Sequence, residues 1–342
     1  MKFFFQWTSL SPPSDPSKIN VSLANGSALC AGFLGLAIVL LGMDSGWVLY
    51  LPILASSGLF GLPHGAIDHL VVLGLANRKL TLKSLVVVCL VYLLLVIAML
   101  GLWWASPIVG VSLFLLITIY HWGKADLAFE HLHRDSLQQV ASKRLQFSHA
   151  LLRGFFPIGL PFLTFPEATE AILNACSASF GYNFELNNTL QIAIFFCFIC
   201  LLLGEVAYLS QQGQQWKLRL VEDLGLAAFF AFIPPLLAVG LYFCLWHGFR
   251  HVLRLIRYEG GEGCSRRTTA RIKRFYCQAF PFTFASILLM AGFLSLLPNV
   301  RGLNEFIGIY LVIISALTVP HLLVVEWMDQ REAAGNPGVC TQ

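Results

Sequence analysis

Charge is scarce in this chain. Asp, Glu, Lys and Arg make up 12% of its 342 residues, about half the share of an ordinary soluble domain. So few charges cannot clothe a water-facing surface of this size. The net charge is +4, and no dense basic stripe exists, which excludes nucleic acid as a partner. A disulfide framework is also missing. The nine cysteines lie mostly inside apolar runs, and the single CxxC, Cys197 and Cys200, falls in the apolar stretch IFFCFICLLLG. Two small residues at i and i+3 there read as packing. No cleaved signal peptide is expected, because the Pro-rich polar stretch Ser9 to Ser17 interrupts any apolar leader. No internal repeat is present. No HExxH run exists, which excludes the commonest zinc-protease site. The glycines of Glu259 to Gly263 have no strand–turn–helix context and do not form a phosphate cradle.

What the chain has in abundance is apolar length. It is 57% hydrophobic with a mean hydropathy of +0.73. The expected fold class is all-α, a polytopic integral membrane helical bundle of about ten transmembrane segments, each of about 17–25 residues. The candidate spans are 27–43, 46–76, 83–104, 107–130, 145–166, 188–209, 220–234, 235–257, 276–298 and 304–328. A helix through 220–257 would be roughly 57 Å long at the standard rise, so Pro234 and Pro235 are expected to separate two segments. With ten spans the basic segments Arg78–Lys83, Arg134–Arg144, Lys217–Arg219 and Arg254–Arg274 share one side. The connection 167–187, which has acids but no Lys or Arg, falls on the other. The positive-inside rule then puts both termini in the cytoplasm of a cell-membrane protein. The domain organisation expected is a polar lead at 1–26, one multi-pass catalytic domain at 27–328 and a cytoplasmic tail at 329–342.

Histidines within the spans carry most of the functional signal. His64, His121, His247, His251 and His321 all fall on segments running the same way, roughly 18–27 Å from the outer end at 1.5 Å per residue. His247 and His251 are four apart and share one helix face. Polar groups in a membrane span are expensive unless used, so His64, His121, His247 and His251 are expected to converge on one metal ion. The bland alternative, imidazoles satisfying backbone carbonyls or bridging helices, stays open for His321. Asp68 follows His64 by four residues and Asp126 follows His121 by five. Each is a candidate to orient a ligand through its free N–H, although each also suits an ordinary ion pair, with Lys124 or Arg250 as partner. His69, His131, His133 and His149 lie near the cytoplasmic boundary, where exposure is the simplest account. Imidazole suits Zn, Cu, Fe and Ni alike. One HxxxH is too little for a di-iron site, so a mononuclear centre is favoured, and non-haem Fe(II) with open positions would bind dioxygen.

Three blocks in order carry a family resemblance: Pro63-His64-Gly65-Ala66-x-Asp68, His121-Trp122-Gly123-x-x-Asp126 and His247-x-x-Arg250-His251. They resemble the signature blocks of the Brp/Blh family of β-carotene dioxygenases, over about residues 55–325. The resemblance implies a membrane enzyme that uses Fe(II) and O2 to cut β-carotene at its central 15,15′ double bond. Two molecules of all-trans-retinal result, destined for a rhodopsin-type protein. It also implies His64, His121, His247 and His251 as iron ligands; Asp68, Asp126 and His321 are expected around them from their own placement in the spans. Phe60, Tyr120, Trp122, Phe243, Trp246 and Phe249 flank those ligands in sequence, and aromatic faces suit a hydrocarbon polyene arriving sideways from the bilayer. Two rival readings use the same histidines: a transporter or metal-ion carrier, and an accessory protein in opsin assembly.

Overall fold

The computed structural model describes residues 21–43, 45–131, 141–258, 268–295 and 302–333, and every regular element among these residues is helical. In chain order we label α1 (Val21–Leu40), α2 (Gly46–Leu75), α3 (Leu82–Ala105), α4 (Pro107–His131), α5 (Lys143–Ile158), α6 (Pro166–Ser177), α7 (Asn188–Leu209), α8 (Trp216–Phe232), α9 (Pro235–Ile256), α10 (Thr268–Ser295) and α11 (Leu303–Ala333). Most of the polar lead, His133, the loop Glu259–Gly263 and residues 334–342 lie outside the described residues.

Seven of these helices are long and apolar enough to cross a membrane: α2, α3, α4, α7, α9, α10 and α11. That is fewer than the ten expected, and the shortfall has local causes. The expected span 145–166 stops at Ile158 and is followed by one separate turn, Pro161–Thr164, because proline withholds a helical donor. The helix for 220–234, α8, begins with Lys217, Arg219, Glu222 and Asp223 in its first half. α1 offers only a shorter apolar run, Ala24–Leu40. Pro234 does separate two helices. Ile233 is extended and Pro234 sits at ψ 137°, so α9 starts afresh at Pro235.

The spans face two ways. α3 opens with a capping box between Thr81 and Ser84, which satisfies its first free N–H groups. Beyond Lys83 it carries no charge, and Leu90, Leu94 and Trp104 stand exposed, as a lipid-facing helix requires. Its inner face is pinned: Trp103 is buried and its indole N–H donates to Ser315 Oγ of α11 at 2.8 Å. α4 and α5 approach so closely at Gly123 and Gly154 that a Cβ on Gly123 would overlap the Ala150 carbonyl. One on Gly154 would overlap the Ile119 carbonyl. Small residues let helix backbones meet this way in membranes. His121 lies two residues from the Gly123 contact.

Two interruptions of α-helical geometry position the functional groups. In α2 a π-helical turn spans Ser57–Gly61, followed by a short helix Leu62–Ala66 and a fresh start at Asp68. In α9 a second π-helical turn covers Phe243–Gly248. An extra residue in a turn rotates the helix face that follows it, and such bulges recur at functional sites.

Candidate metal centre and substrate cavity

Five imidazoles from four helices meet in the interior: His64 of α2, His121 of α4, His247 and His251 of α9, and His321 of α11. All are buried. The shortest ring-centre separations are 4.7 Å for His64–His321, 5.1 Å for His121–His247 and for His121–His321, and 5.2 Å for His64–His251. His251–His321 is 5.3 Å, His64–His247 is 6.0 Å and His247–His251 is 6.4 Å. Two imidazoles bound to one ion at about 2.1 Å have ring centres no more than about 6.5 Å apart, and these seven pairs fall within that limit, whereas ligand atoms of three residues within 4.8 Å of one another occur among the described residues only at His149, Glu205 and Asp223.

The hydrogen bonding supports the same fit. Buried side-chain nitrogens normally find a partner. Among the described residues, both nitrogens of His247, both of His251, His121 Nδ1 and His321 Nε2 are buried without a hydrogen-bond partner. The fixed donors point elsewhere: His64 Nδ1 contacts the Phe60 carbonyl at 2.6 Å, and His321 Nδ1 contacts Asp68 Oδ2 at 2.8 Å. Imidazole nitrogens are ligands that late first-row transition metals accept. A set of neutral nitrogens with no hard anionic oxygen also suits Mg2+ or Ca2+ poorly.

Asp68 and Asp126 play different parts. Asp68, buried on α2, serves His321 rather than its sequence neighbour His64, and it also accepts a hydrogen bond from Tyr92 Oη at 2.9 Å. Asp126 touches none of the five imidazoles. It accepts from Trp246 Nε1 at 2.9 Å, Arg250 Nη1 at 3.2 Å and Arg153 Nε at 3.2 Å. Arg250 in turn stacks on Trp246, its guanidinium carbon 3.9 Å from the ring centre. Asp126 therefore fixes the turn of α9 between the two histidines. Lys124 pairs with Glu326 of α11 at 3.2 Å.

His64, His121, His247 and His321 open onto a cavity of about 890 Å3 that reaches the protein surface at exposed residues such as Trp104 and Leu289 and whose remaining lining is almost wholly apolar. One part runs between Leu93 of α3 and Leu289 of α10, and another reaches Phe162, Leu173 and Phe180. Of the aromatic residues singled out above, Trp122 and Phe243 line it. Phe243 lies 5.9 Å from both His64 and His247, and Trp122 5.4 Å from His247. Phe60, Tyr120, Trp246 and Phe249 do not line it. Phe60 packs edge-on against Phe249, and Tyr120 donates to Glu326.

A second polar group lies deeper among α4, α5, α7 and α8. His149, placed at an exposed boundary in the sequence analysis, is instead completely buried. It faces Glu205 at 2.7 Å and Glu130 at 3.3 Å, and stacks on Tyr208. Arg153, also completely buried, reaches Asp223 at 2.8 Å as well as Asp126. His149, Glu205 and Asp223 bring potential ligand atoms within 4.8 Å of one another. Both ring nitrogens of His149 already face carboxylates, however, and a guanidinium occupies Asp223. The group is an ion network that ties four helices together. Its one advance signal was charge inside apolar segments, at Glu130, Arg153 and Glu205.

The sequence profile described as Beta-carotene 15,15'-dioxygenase matches residues 55–329. The chain belongs to this family. It is 33% identical, over 89% of its own length and 92% of the relative's, to the "Probable beta-carotene 15,15'-dioxygenase Blh" of Halobacterium salinarum. It is 25% identical, over 78% of its length and 90% of the other chain, to the "Beta-carotene 15,15'-dioxygenase" of uncultured marine bacterium 66A03. No solved structure matches it. The matched region begins before the first π-helical turn and ends beyond His321, so all five histidines fall within it. A family of dioxygenases implies a metal cofactor.

Proposed function

We propose that the chain is an integral membrane enzyme that cleaves β-carotene with O2 at the 15,15′ double bond, yielding two molecules of retinal. The observation that carries this reading is the histidine cluster opening onto a largely apolar cavity of about 890 Å3 within helices of membrane length. The metal would be iron, held by His64, His121, His247 and His251. When bound there, Fe(II) supplies the redox activation of dioxygen.

The chain's own residues do the rest. A pure hydrocarbon offers nothing to hydrogen-bond, so position along the polyene is set by cavity shape and contact area. The faces of Trp122 and Phe243 lie beside the cluster, where they hold the polyene and favour cationic character as oxygen attacks it. Addition of dioxygen to an alkene and fission to two aldehydes needs no general base. The apolar lining keeps water from the reacting carbons. Substrate enters and product leaves through the bilayer, and a rhodopsin-type protein is the consumer of the retinal. Residues 27–328 form the catalytic domain, in the cell membrane with both termini cytoplasmic.

Expression in carotene-accumulating cells tests this directly. Loss of orange colour with retinal in the extract supports cleavage. Unchanged carotene with altered metal uptake would instead support carriage of metal ions by the same histidines.

A further inference from the structure

We infer that His321 is itself a metal ligand, a fifth imidazole in the centre, locked in place by Asp68 and Tyr92. This rests on the metal-centre reading above and deepens it.

His321 sits among the other rings and not behind them. Its ring centre is 4.7 Å from His64, 5.1 Å from His121 and 5.3 Å from His251. Those distances are shorter than the 6.0 Å between His64 and His247 or the 6.4 Å between His247 and His251. A residue acting only behind the ligands would point a nitrogen at one of their rings. His321 instead sends Nδ1 away from the cluster, to Asp68 Oδ2 at 2.8 Å. A carboxylate there accepts the Nδ1 proton, so the lone pair belongs to Nε2. Nε2 is buried and has no hydrogen-bond partner, and His321 lines the same cavity as His64, His121 and His247.

The support behind it is built in. Tyr92 of α3 donates to the same Asp68 oxygen at 2.9 Å, so the carboxylate is held from two sides. The arrangement joins α2, α3 and α11 in one chain, Tyr92–Asp68–His321. Among the described residues the partners of the Asp68 carboxylate are Tyr92 and His321. A carboxylate–histidine unit contributes partial negative charge to a centre otherwise made of neutral nitrogens.

The test uses purified full-length protein in detergent with Co(II) alone as probe. Affinity comes from chelator competition, and ligand number from the visible spectrum of the cobalt-loaded protein. His321→Gln, His321→Gly, Asp68→Asn and His247→Ala are compared with the wild type. The expected result is that His321→Gln and His247→Ala each weaken Co(II) binding about tenfold or more and change the spectrum. Free imidazole should restore the wild-type spectrum in His321→Gly, a result that loss of fold cannot imitate. Asp68→Asn should weaken binding while keeping the wild-type spectral shape. If His321→Gln binds Co(II) with unchanged affinity and spectrum while His247→Ala does not, His321 is not a ligand and the four-histidine centre stands. If the wild type binds no Co(II) or Fe(II), the metal-centre reading itself falls.

Discussion

Burying an imidazole nitrogen without a partner costs free energy on the order of 1–3 kcal/mol, and this protein does so repeatedly at one point. A core histidine used for packing would have been given a carbonyl or hydroxyl, as His64 Nδ1 was given the Phe60 carbonyl. At His247 and His251 both ring nitrogens lack a partner among the described residues, which leaves one nitrogen of each ring free to bind a ligand. His247→Ala should abolish carotene cleavage and lower the iron content of the purified protein, while membrane insertion and melting temperature stay near wild type. Wild-type turnover in that variant would remove His247 from the centre. Arg153 presents the opposite case, since its worth is structural. It neutralises Asp126 and Asp223 in a fully buried place. Arg153→Leu should destabilise the fold by about 3–5 kcal/mol, because buried Asp223 loses its counterion and Asp126 keeps only Arg250. Unfolding in mixed micelles measures this directly.

At the scale of the helix, the centre depends on where two irregular turns and one close contact put the side chains. A regular α-helix through 57–61 or 243–248 would turn the following histidines by roughly a quarter of a turn per extra residue. The α4–α5 contact sets the depth of His121 through Gly123 and Gly154. Gly154→Ala should force these backbones apart. It should cost about 1–3 kcal/mol of stability as overpacked cores do, and reduce bound metal without removing any ligand. A variant with wild-type metal content would show that His121 tolerates a displaced helix.

For the molecule as a whole, on the proposed reading the cavity decides which substrate reaches the histidines. Its part between α3 and α10 is bounded by Leu93 and Leu289, both largely exposed on the lipid side, and Ser286 lies on the same wall. Ser286→Trp should narrow that route, raising KM for β-carotene severalfold while leaving metal content unchanged. Full activity with unchanged KM would show that the polyene does not pass there.

Several features of this protein were legible in the residues themselves. Apolar length and scarce charge dictate a helical membrane protein, since only helices and closed barrels satisfy every backbone group in lipid. His64, His121, His247 and His251 stood out because polar groups inside such spans are costly, and the paired prolines marked the start of α9. Other features depended on proximity between segments far apart in the chain. That Asp68 serves His321, 253 positions away, and not His64 four positions before it, follows from how α2 and α11 pack. So does the burial of His149, which its place near a basic segment had disguised. Periodicity is a local property of the chain and locates helices; which face of one helix meets which face of another is settled by the packing of all of them together.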